Sequence, residues 1–333
     1  MYIMEKITVF VPNYNKQKYI SQALNSILMQ KTNFQYKILI IDDASTDNSV
    51  ETIKRYVKKY PKKIDFIQNE KNIRCLANLI KGYKLIKTKY FCILDPDDYW
   101  INKNKLQKAV DFLDKHNDFT IYMSNIYVKE RNKKLVPYIN SKTKDFDFKD
   151  LDNAILCQTS GAVFRYISGN VPNVVSRAIG NVDEKIYEGD SFRDLTFLKL
   201  GKAHFENQIE SVYRINKTGI WTSLNIFQKN LLNARFFLKM FLFFKENQDY
   251  FIKMSLYFLS KNIELLDNNK KNISDNDIFE TKKWLIECIK YKNPKLKLKN
   301  QIKIIIYSLF FSFKKNKKAR IEIVKKIQDI IKI

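Results

Sequence analysis

Three carboxylates fall within four positions in Leu94-Asp95-Pro96-Asp97-Asp98, directly after an apolar run, Tyr90 to Leu94, that reads as a buried strand. Carboxylates this close repel one another unless a cation joins them. An all-oxygen set suits a hard divalent ion such as Mg²⁺ or Mn²⁺, which usually also holds substrate phosphates. The pattern points to a metal–diphosphate site at the carboxyl edge of a sheet, against the plainer alternative of a solvated acidic turn.

The elements needed to position such a site are legible upstream. Ile7 to Val11 reads as a first buried strand, broken by Pro12-Asn13-Tyr14-Asn15. Gln17 to Gln30 has helical spacing, with Ile20, Leu24, Ile27 and Leu28 on one face. Tyr36 to Ile41 is a second strand, ended by Asp42-Asp43-Ala44-Ser45-Thr46-Asp47, and Ser49 to Tyr60 a second helix. A short strand, Ile64 to Gln68, a helix, Cys75 to Ile86, and the strand at Tyr90 complete the series. Alternating strands and helices with continuous apolar strands imply a parallel sheet covered on both faces. Ligands of such sheets gather outside the carboxyl ends of the strands. Pro12–Asn15, Asp42–Asp47 and Asp95–Asp98 all lie at such ends. Downstream, the patterning gives a helix over 105–117, a strand near 119–128, a helix over 191–200 preceded by Tyr187-Glu188-Gly189-Asp190, and a last strand over 210–215.

Composition bounds the class. The chain has 333 residues, 45% of them hydrophobic, which is too apolar for disorder and enough for one large core plus an appendage. Its four cysteines, Cys75, Cys92, Cys157 and Cys288, have neither metal nor disulfide spacing and read as core residues of a reduced, cytoplasmic protein with no signal peptide. Net charge is +25, and residues 290–333 hold 14 Lys/Arg against 2 Asp/Glu, or +12. That local excess calls for an anionic partner. A nucleic-acid-binding protein would use the charge but leaves no role for acidic loops, which repel phosphate when no metal is present. A pyrophosphorylase-type enzyme wants a Gly-rich first turn, and Pro12–Lys18 has none.

The chain resembles family 2 glycosyltransferases of the GT-A fold over roughly residues 5–220. The matching pieces are Val11-Pro12-Asn13-Tyr14-Asn15, Ser26-Ile27-Leu28-Met29-Gln30, Ile41-Asp42-Asp43-Ala44-Ser45-Thr46-Asp47, Asn72 with Asn78, Leu94-Asp95-Pro96-Asp97-Asp98, Gly189-Asp190 and Tyr213-Arg214. The resemblance implies an inverting, metal-dependent transferase that takes a sugar from a nucleotide-sugar, UDP-linked by expectation. The acceptor would be a hydroxyl of a glycan or lipid-linked glycan in bacterial surface-polysaccharide synthesis. Pro12 and Tyr14 would line the nucleoside. Asp43 would accept the uracil N–H, with Asp42 as the alternative. Asp95 would contact ribose or a metal water, Asp97 and Asp98 would bind Mn²⁺ or Mg²⁺, and Arg214 would touch phosphate. Asp190 would be the general base, with Glu188 or a purely capping role for Asp190 as alternatives. The chain departs from the family with Asn216 where a His is frequent, Ile73 where Gly is frequent and Ala77 where Arg is common. A binding protein without turnover remains a second reading.

A domain boundary is expected near residue 225, giving a catalytic domain over 1–224, with its nucleotide-sugar half about 1–100, and a helical region over 225–333. That region carries two apolar runs, Phe236 to Phe244 and Ile304 to Phe313, each about half the roughly 20 residues a span needs. The second lies between lysine clusters and suits a helix resting on an anionic membrane surface, peripheral on the inner face. The competing expectation is a helical bundle with a wet lysine face.

Overall fold

Strands that are apolar at every position need cover on both faces, and the chain provides it by alternating them with amphipathic helices. The computed structural model describes residues 5–131, 133–155, 158–167, 189–216, 219, 221–267 and 274–292. Its first half runs β1 (Ile7–Asn13), α1 (Ile20–Leu28), β2 (Tyr36–Asp42), α2 (Ser49–Lys59), β3 (Ile64–Gln68), α3 (Cys75–Leu85) and β4 (Tyr90–Ile93). These strands are parallel in the order β3-β2-β1-β4. β1 is central: Ile7 lies beside Tyr36 on one side and Tyr90 on the other. Strand order reverses at β1, so the β1/β4 crevice is the switch point where such sheets bind ligands.

Beyond β4 the sheet becomes mixed. It adds β5 (Tyr99–Trp100), α4 (Lys105–Lys115), β6 (Phe119–Glu130), β7 (Val136–Pro137), β8 (Lys144–Phe146), β9 (Ala162–Arg165), α5 (Gly189–Leu200) and β10 (Lys202–Ile215). β9 runs antiparallel between β4 and β6, and β5 runs antiparallel to β10. The second pairing sets Tyr99 opposite Val212, which carries the acidic loop to the end of β10. A fully buried ion pair supports this seam. Lys105 and Glu210 face each other at 3.5 Å, and the Lys105 ammonium also donates to Ser124 Oγ and the Gly161 carbonyl, both at 3.0 Å. Breaking such a pair strands a buried charge.

Two elements differ from the sequence expectation. The last strand starts at Lys202 rather than at residue 210, because Ala203 and Phe205 alternate inward against β6 while Lys202 and Glu206 stay at the surface. α1 begins at Ile20 rather than Gln17, because the backbone N–H groups of Lys16 and Gln17 donate to Ser49 Oγ and Asp47 Oδ2 instead of starting a helix.

The described residues divide into two compact units, one ending at Asn216 and the other lying beyond it. The second unit holds α6 (Ile226–Phe243), α7 (Gln248–Asp267) and α8 (Asp275–Lys292). α6 opens with a capping box in which Asn225 and Gln228 each accept the other's backbone N–H. Its core joins Leu231, Ala234 and Leu238 to Ile252, Leu256, Leu259 and Leu285. The first apolar run is thus bundle core, with Phe236, Leu238 and Met240 buried. Among the described residues, no helix is long and apolar enough to cross a membrane. The second run and its lysines lie outside the described residues.

Gly82 shows how closely α3 sits on β1: a methyl there would overlap the buried Phe10 ring. Helix propensity favours Ala over Gly by about 1 kcal/mol, whereas overpacking a core costs about 1–3 kcal/mol. Gly82→Ala is expected to lower the midpoint of thermal unfolding. A raised midpoint would mean that the Phe10 ring gives way at no cost.

Candidate active site

The loops after β1 and β2 are laced together. Asp42 is fully buried and spends its carboxylate on the lacing: Oδ1 accepts the Ser45 N–H at 2.9 Å, and Oδ2 accepts Asn13 Nδ2 at 2.7 Å and Ser45 Oγ at 2.5 Å. Asn15, at φ 53°, returns the tie, its N–H donating to Ser45 Oγ and its Oδ1 accepting the Thr46 N–H. Asp47 Oδ1 caps α2 by accepting the Ser49 N–H at 2.9 Å. Asp43 is used differently. Its Oδ1 accepts Asn69 Nδ2 and the Ile73 N–H, both at 2.8 Å, and no described residue donates to Oδ2. Tyr14 stands 44% exposed on the neighbouring loop beside half-buried Pro12, an open aromatic face at the sheet edge.

The acidic loop lies across the crevice. Asp97 is half-buried, and its Oδ2 meets Lys16 Nζ at 2.6 Å and Asn216 Nδ2 at 3.0 Å. Asp98 is turned inward. Its Oδ1 accepts the Arg214 N–H at 2.9 Å, and its Oδ2 is buried with no hydrogen-bond partner among the described residues. The Arg214 guanidinium is held by the Asp97 carbonyl and Gln22 Oε1 and lies over the rings of Tyr99 and Tyr19, at 4.3 and 5.2 Å. It therefore shapes the acidic loop from below. Asp190 sits in the first turn of α5 with its side chain 52% exposed. Arg193, fully buried, donates to it from Nη1 at 3.1 Å and pairs through Nε and Nη2 with buried Asp194. Glu188 lies outside the described residues.

Electrostatics tie these groups together. Burial, reinforced by the charges of Asp190 and Asp97, pushes the Asp95 carboxyl up to about 7, while Lys16 and Arg193 pull it down. Burial, then Asp95, drives Asp98 well above the usual carboxylate range, against the Arg214 N–H. Carboxyls raised in this way by burial and by neighbouring carboxylates, as Asp95 and Asp98 are, call for a cation. Asp97, exposed to a point charge from Lys16, and the partnerless buried Oδ2 of Asp98 both fit a hard divalent ion. Among the described residues, no set of three or more His, Cys, Asp or Glu side chains is arranged to cage a metal. An ion here would need oxygens from a bound diphosphate, the usual arrangement for Mg²⁺.

Sequence reasoning picked out Asp43, the acidic loop, Asp190 and Arg214, and the fold gathers them at one edge of the first unit. It missed Lys16, Asn216, Asn69 and Arg193. Asn216 had been noted only for not being His. Lys16 sits two residues past Tyr14 in a loop already singled out, but nothing local says that its ammonium crosses to Asp97.

The architecture is the GT-A type of α/β fold. Residues 8–169 match the profile of glycosyl transferase family 2, and this part of the chain, from β1 through β9, belongs to that family. An uncharacterised protein of Mycobacterium tuberculosis is 35% identical over 109 residues, 33% of this chain and 32% of that protein. The poly(ribitol-phosphate) β-N-acetylglucosaminyltransferase TarS of Staphylococcus aureus is 32% identical over 117 residues, 34% of this chain and 20% of TarS. The matches thus span about a third of the chain and a third or less of these relatives. TarS residues 1–349 with UDP-GlcNAc superpose with a TM-score of 0.63 at 17% identity, covering 97% of this chain and 90% of that one. The mannosyltransferase PcManGT of Pyrobaculum calidifontis, solved with GDP-Man and Mn²⁺, gives 0.53 at 14% identity, covering 98% and 84%.

If Lys16 is the resident counter-ion of Asp97, removing it leaves that carboxylate to a divalent ion. Lys16→Met is expected to bind Mn²⁺ more tightly than the parent in the absence of nucleotide, read by paramagnetic resonance of free Mn²⁺. Unchanged affinity would show that Asp97 does not face the ion.

Proposed function

We infer that this chain is an inverting glycosyltransferase that moves a sugar from a UDP-sugar to a hydroxyl of a glycan or lipid-linked glycan. The observation that carries the reading is the convergence at the β1/β4 crevice: Asp190 and Asp97 are the two charges that act most strongly on Asp95. Asp43 presents one carboxylate oxygen on the adjacent loop. This matches what a nucleotide-diphospho-sugar needs: a donor-seeking carboxylate for the base, a cation site for the diphosphate and a base for the acceptor. The saturation of Asp42 by Asn13 and Ser45 favours Asp43 for the uracil N–H, and exposed Tyr14 with Pro12 offers a surface for the nucleoside. TarS, a relative in family and fold, has been solved with UDP and with UDP-GlcNAc. PcManGT, a fold relative, was solved with Mn²⁺.

In this reading Asp97 and Asp98 hold Mn²⁺ or Mg²⁺ with the diphosphate, and Asp95 faces the ribose or a metal-bound water. Arg214 keeps the loop in place and lends positive charge near the phosphates. When bound, the ion supplies Lewis-acid neutralisation of the leaving diphosphate. Asp190, exposed at the start of α5, accepts the proton of the acceptor hydroxyl as its oxygen attacks the anomeric carbon and the bond to the diphosphate breaks. A single displacement inverts that carbon. Arg193 Nη1 donates to Asp190 Oδ1 and fixes where the carboxylate stands at the start of α5. The basic, apolar tail over 290–333 would hold the enzyme on anionic lipid at the inner face of the membrane, near lipid-linked acceptors.

Two outcomes test this. With Mn²⁺ present, a panel of nucleotide-sugars is expected to show UDP release from at least one UDP-sugar, and chelation is expected to stop it. Asp190→Asn should retain donor binding and lose about 10²–10⁴-fold in turnover. Turnover near the parent value would remove Asp190 from the role of base.

A further inference from the structure

Asp43 is not a lone carboxylate on a loop. Behind it runs a chain of three side chains from two elements. Lys81 Nζ, on α3 and half-buried, donates to Asn69 Oδ1 at 2.7 Å. Asn69 Nδ2 donates to Asp43 Oδ1 at 2.8 Å and to Asn78 Oδ1 at 3.1 Å. Asn78 is itself fixed, its Nδ2 donating to the Ile41 carbonyl at 3.2 Å. Asn69 and Asn78 are 6% and 2% exposed, and the Asn69 N–H is pinned to the Asp42 carbonyl at 2.8 Å.

The orientation of the Asn69 amide follows from its neighbours. An ammonium cannot accept, and two acceptor oxygens cannot donate, so only one way of placing the amide satisfies Lys81, Asp43 and Asn78 together. Asp43 Oδ1 then holds two donors, the Asn69 amide and the Ile73 N–H. What remains for a ligand is one oxygen, aimed by a fixed scaffold.

We propose that Asn69 and Lys81 are positioning residues for nucleotide-base selection, holding Asp43 so that its free oxygen takes a ring N–H and rejects a ring lone pair. The ligand class is a uracil-type nucleoside diphosphate, as against its cytosine counterpart. This rests on Asp43 being the residue that meets the base. Uracil offers an N–H where cytosine offers a lone pair, and a fixed anionic acceptor opposite a lone pair is left unpaired and repelled. Sites of this kind discriminate well because the mismatch leaves a desolvated polar group without a partner. A carboxylate with both oxygens free to turn can instead tilt away from the lone pair, so discrimination depends on what holds Oδ1.

The test is the ratio of UDP to CDP affinity, measured by titration calorimetry with Mn²⁺ on the full chain. The variants are Asn69→Leu, of similar shape but without donors, Lys81→Met, and Asp43→Ala. The parent is expected to prefer UDP and Asp43→Ala to erase the preference. Asn69→Leu should cut it about tenfold and Lys81→Met about threefold, chiefly by weakening UDP, since a hydrogen bond to a charged group is worth one to two powers of ten in affinity. A purely structural role would weaken both nucleotides together and leave the ratio unchanged. If the parent and Asp43→Ala behave as expected while the other two variants keep the full preference, or lose UDP and CDP equally, the proposal is overturned and Asp43 keeps its role. If the parent shows no preference, the base reading of Asp43 fails and the proposal falls with it. Should Asn69→Leu not fold, Lys81→Met decides by the same criterion.

Discussion

Like charge held at a desolvated sheet edge is the constraint on which the rest of the first unit depends. The strand that ends at Ile93 delivers three carboxylates into a crevice already faced by Asp190, and burial denies Asp95 and Asp98 the water that would otherwise disperse their charge. A protein tolerates this in three ways: protonation, local cations, or a ligand that brings its own. The first two are visible here, and one buried oxygen is left over. The Asp95 carboxyl is pushed up to about 7, Lys16 and Arg214 bring positive charge to the acidic loop, and the buried second oxygen of Asp98 has no partner among the described residues. In the proposed function that repulsion would favour a divalent ion at the loop, with a diphosphate supplying further oxygens.

The scaffold around this edge is rigid where it must be. The loops after β1 and β2 are joined by at least six hydrogen bonds, which leave Asp42 saturated and Asp43 half-occupied. On the far side, the antiparallel pairing of β5 with β10 and the buried Lys105–Glu210 pair fix where the acidic loop re-enters the sheet. Arg214 closes the arrangement, its backbone N–H on Asp98 and its guanidinium between two tyrosine rings. Side chains that look alike in the sequence thus differ in the fold: Asp42 and Arg214 are spent on holding the loops, while Asp43 keeps one oxygen without a described donor.

Much of this was legible in the sequence because it is written in period and punctuation. Strands β1, β2 and β4 are largely apolar runs bounded by polar clusters, and those clusters sit where parallel sheets bind ligands. β10 begins before the expected residue 210: Lys202, His204 and Glu206 are polar, but Ala203 and Phe205 between them carry the two-residue alternation of a strand. The roles of Lys16, Asn69 and Arg193 could not be read at all. Lys16 and Asn69 depend on contacts across tens of residues, to Asp97 and to Asp43, and an isolated Lys or Asn has no periodic signature; Arg193 acts on its helix neighbours Asp190 and Asp194, but its spacing does not say that its guanidinium is buried. Asp98 carries the same lesson. The spacing ranks it with Asp97, while the fold gives the two unequal surroundings, one open to a cation and one anchored to the backbone of β10.

The central claim is that the acidic loop binds a diphosphate through a divalent ion while Asp43 takes the base. A crystal of the protein grown with UDP and Mn²⁺, measured at a wavelength where manganese scatters anomalously, tests it most directly. The account predicts a single strong anomalous peak between the Asp97 carboxylate and the diphosphate, with the uracil ring N–H on Asp43. Diphosphate bound with no anomalous peak at the loop, or a peak away from Asp97 and Asp98, would contradict it.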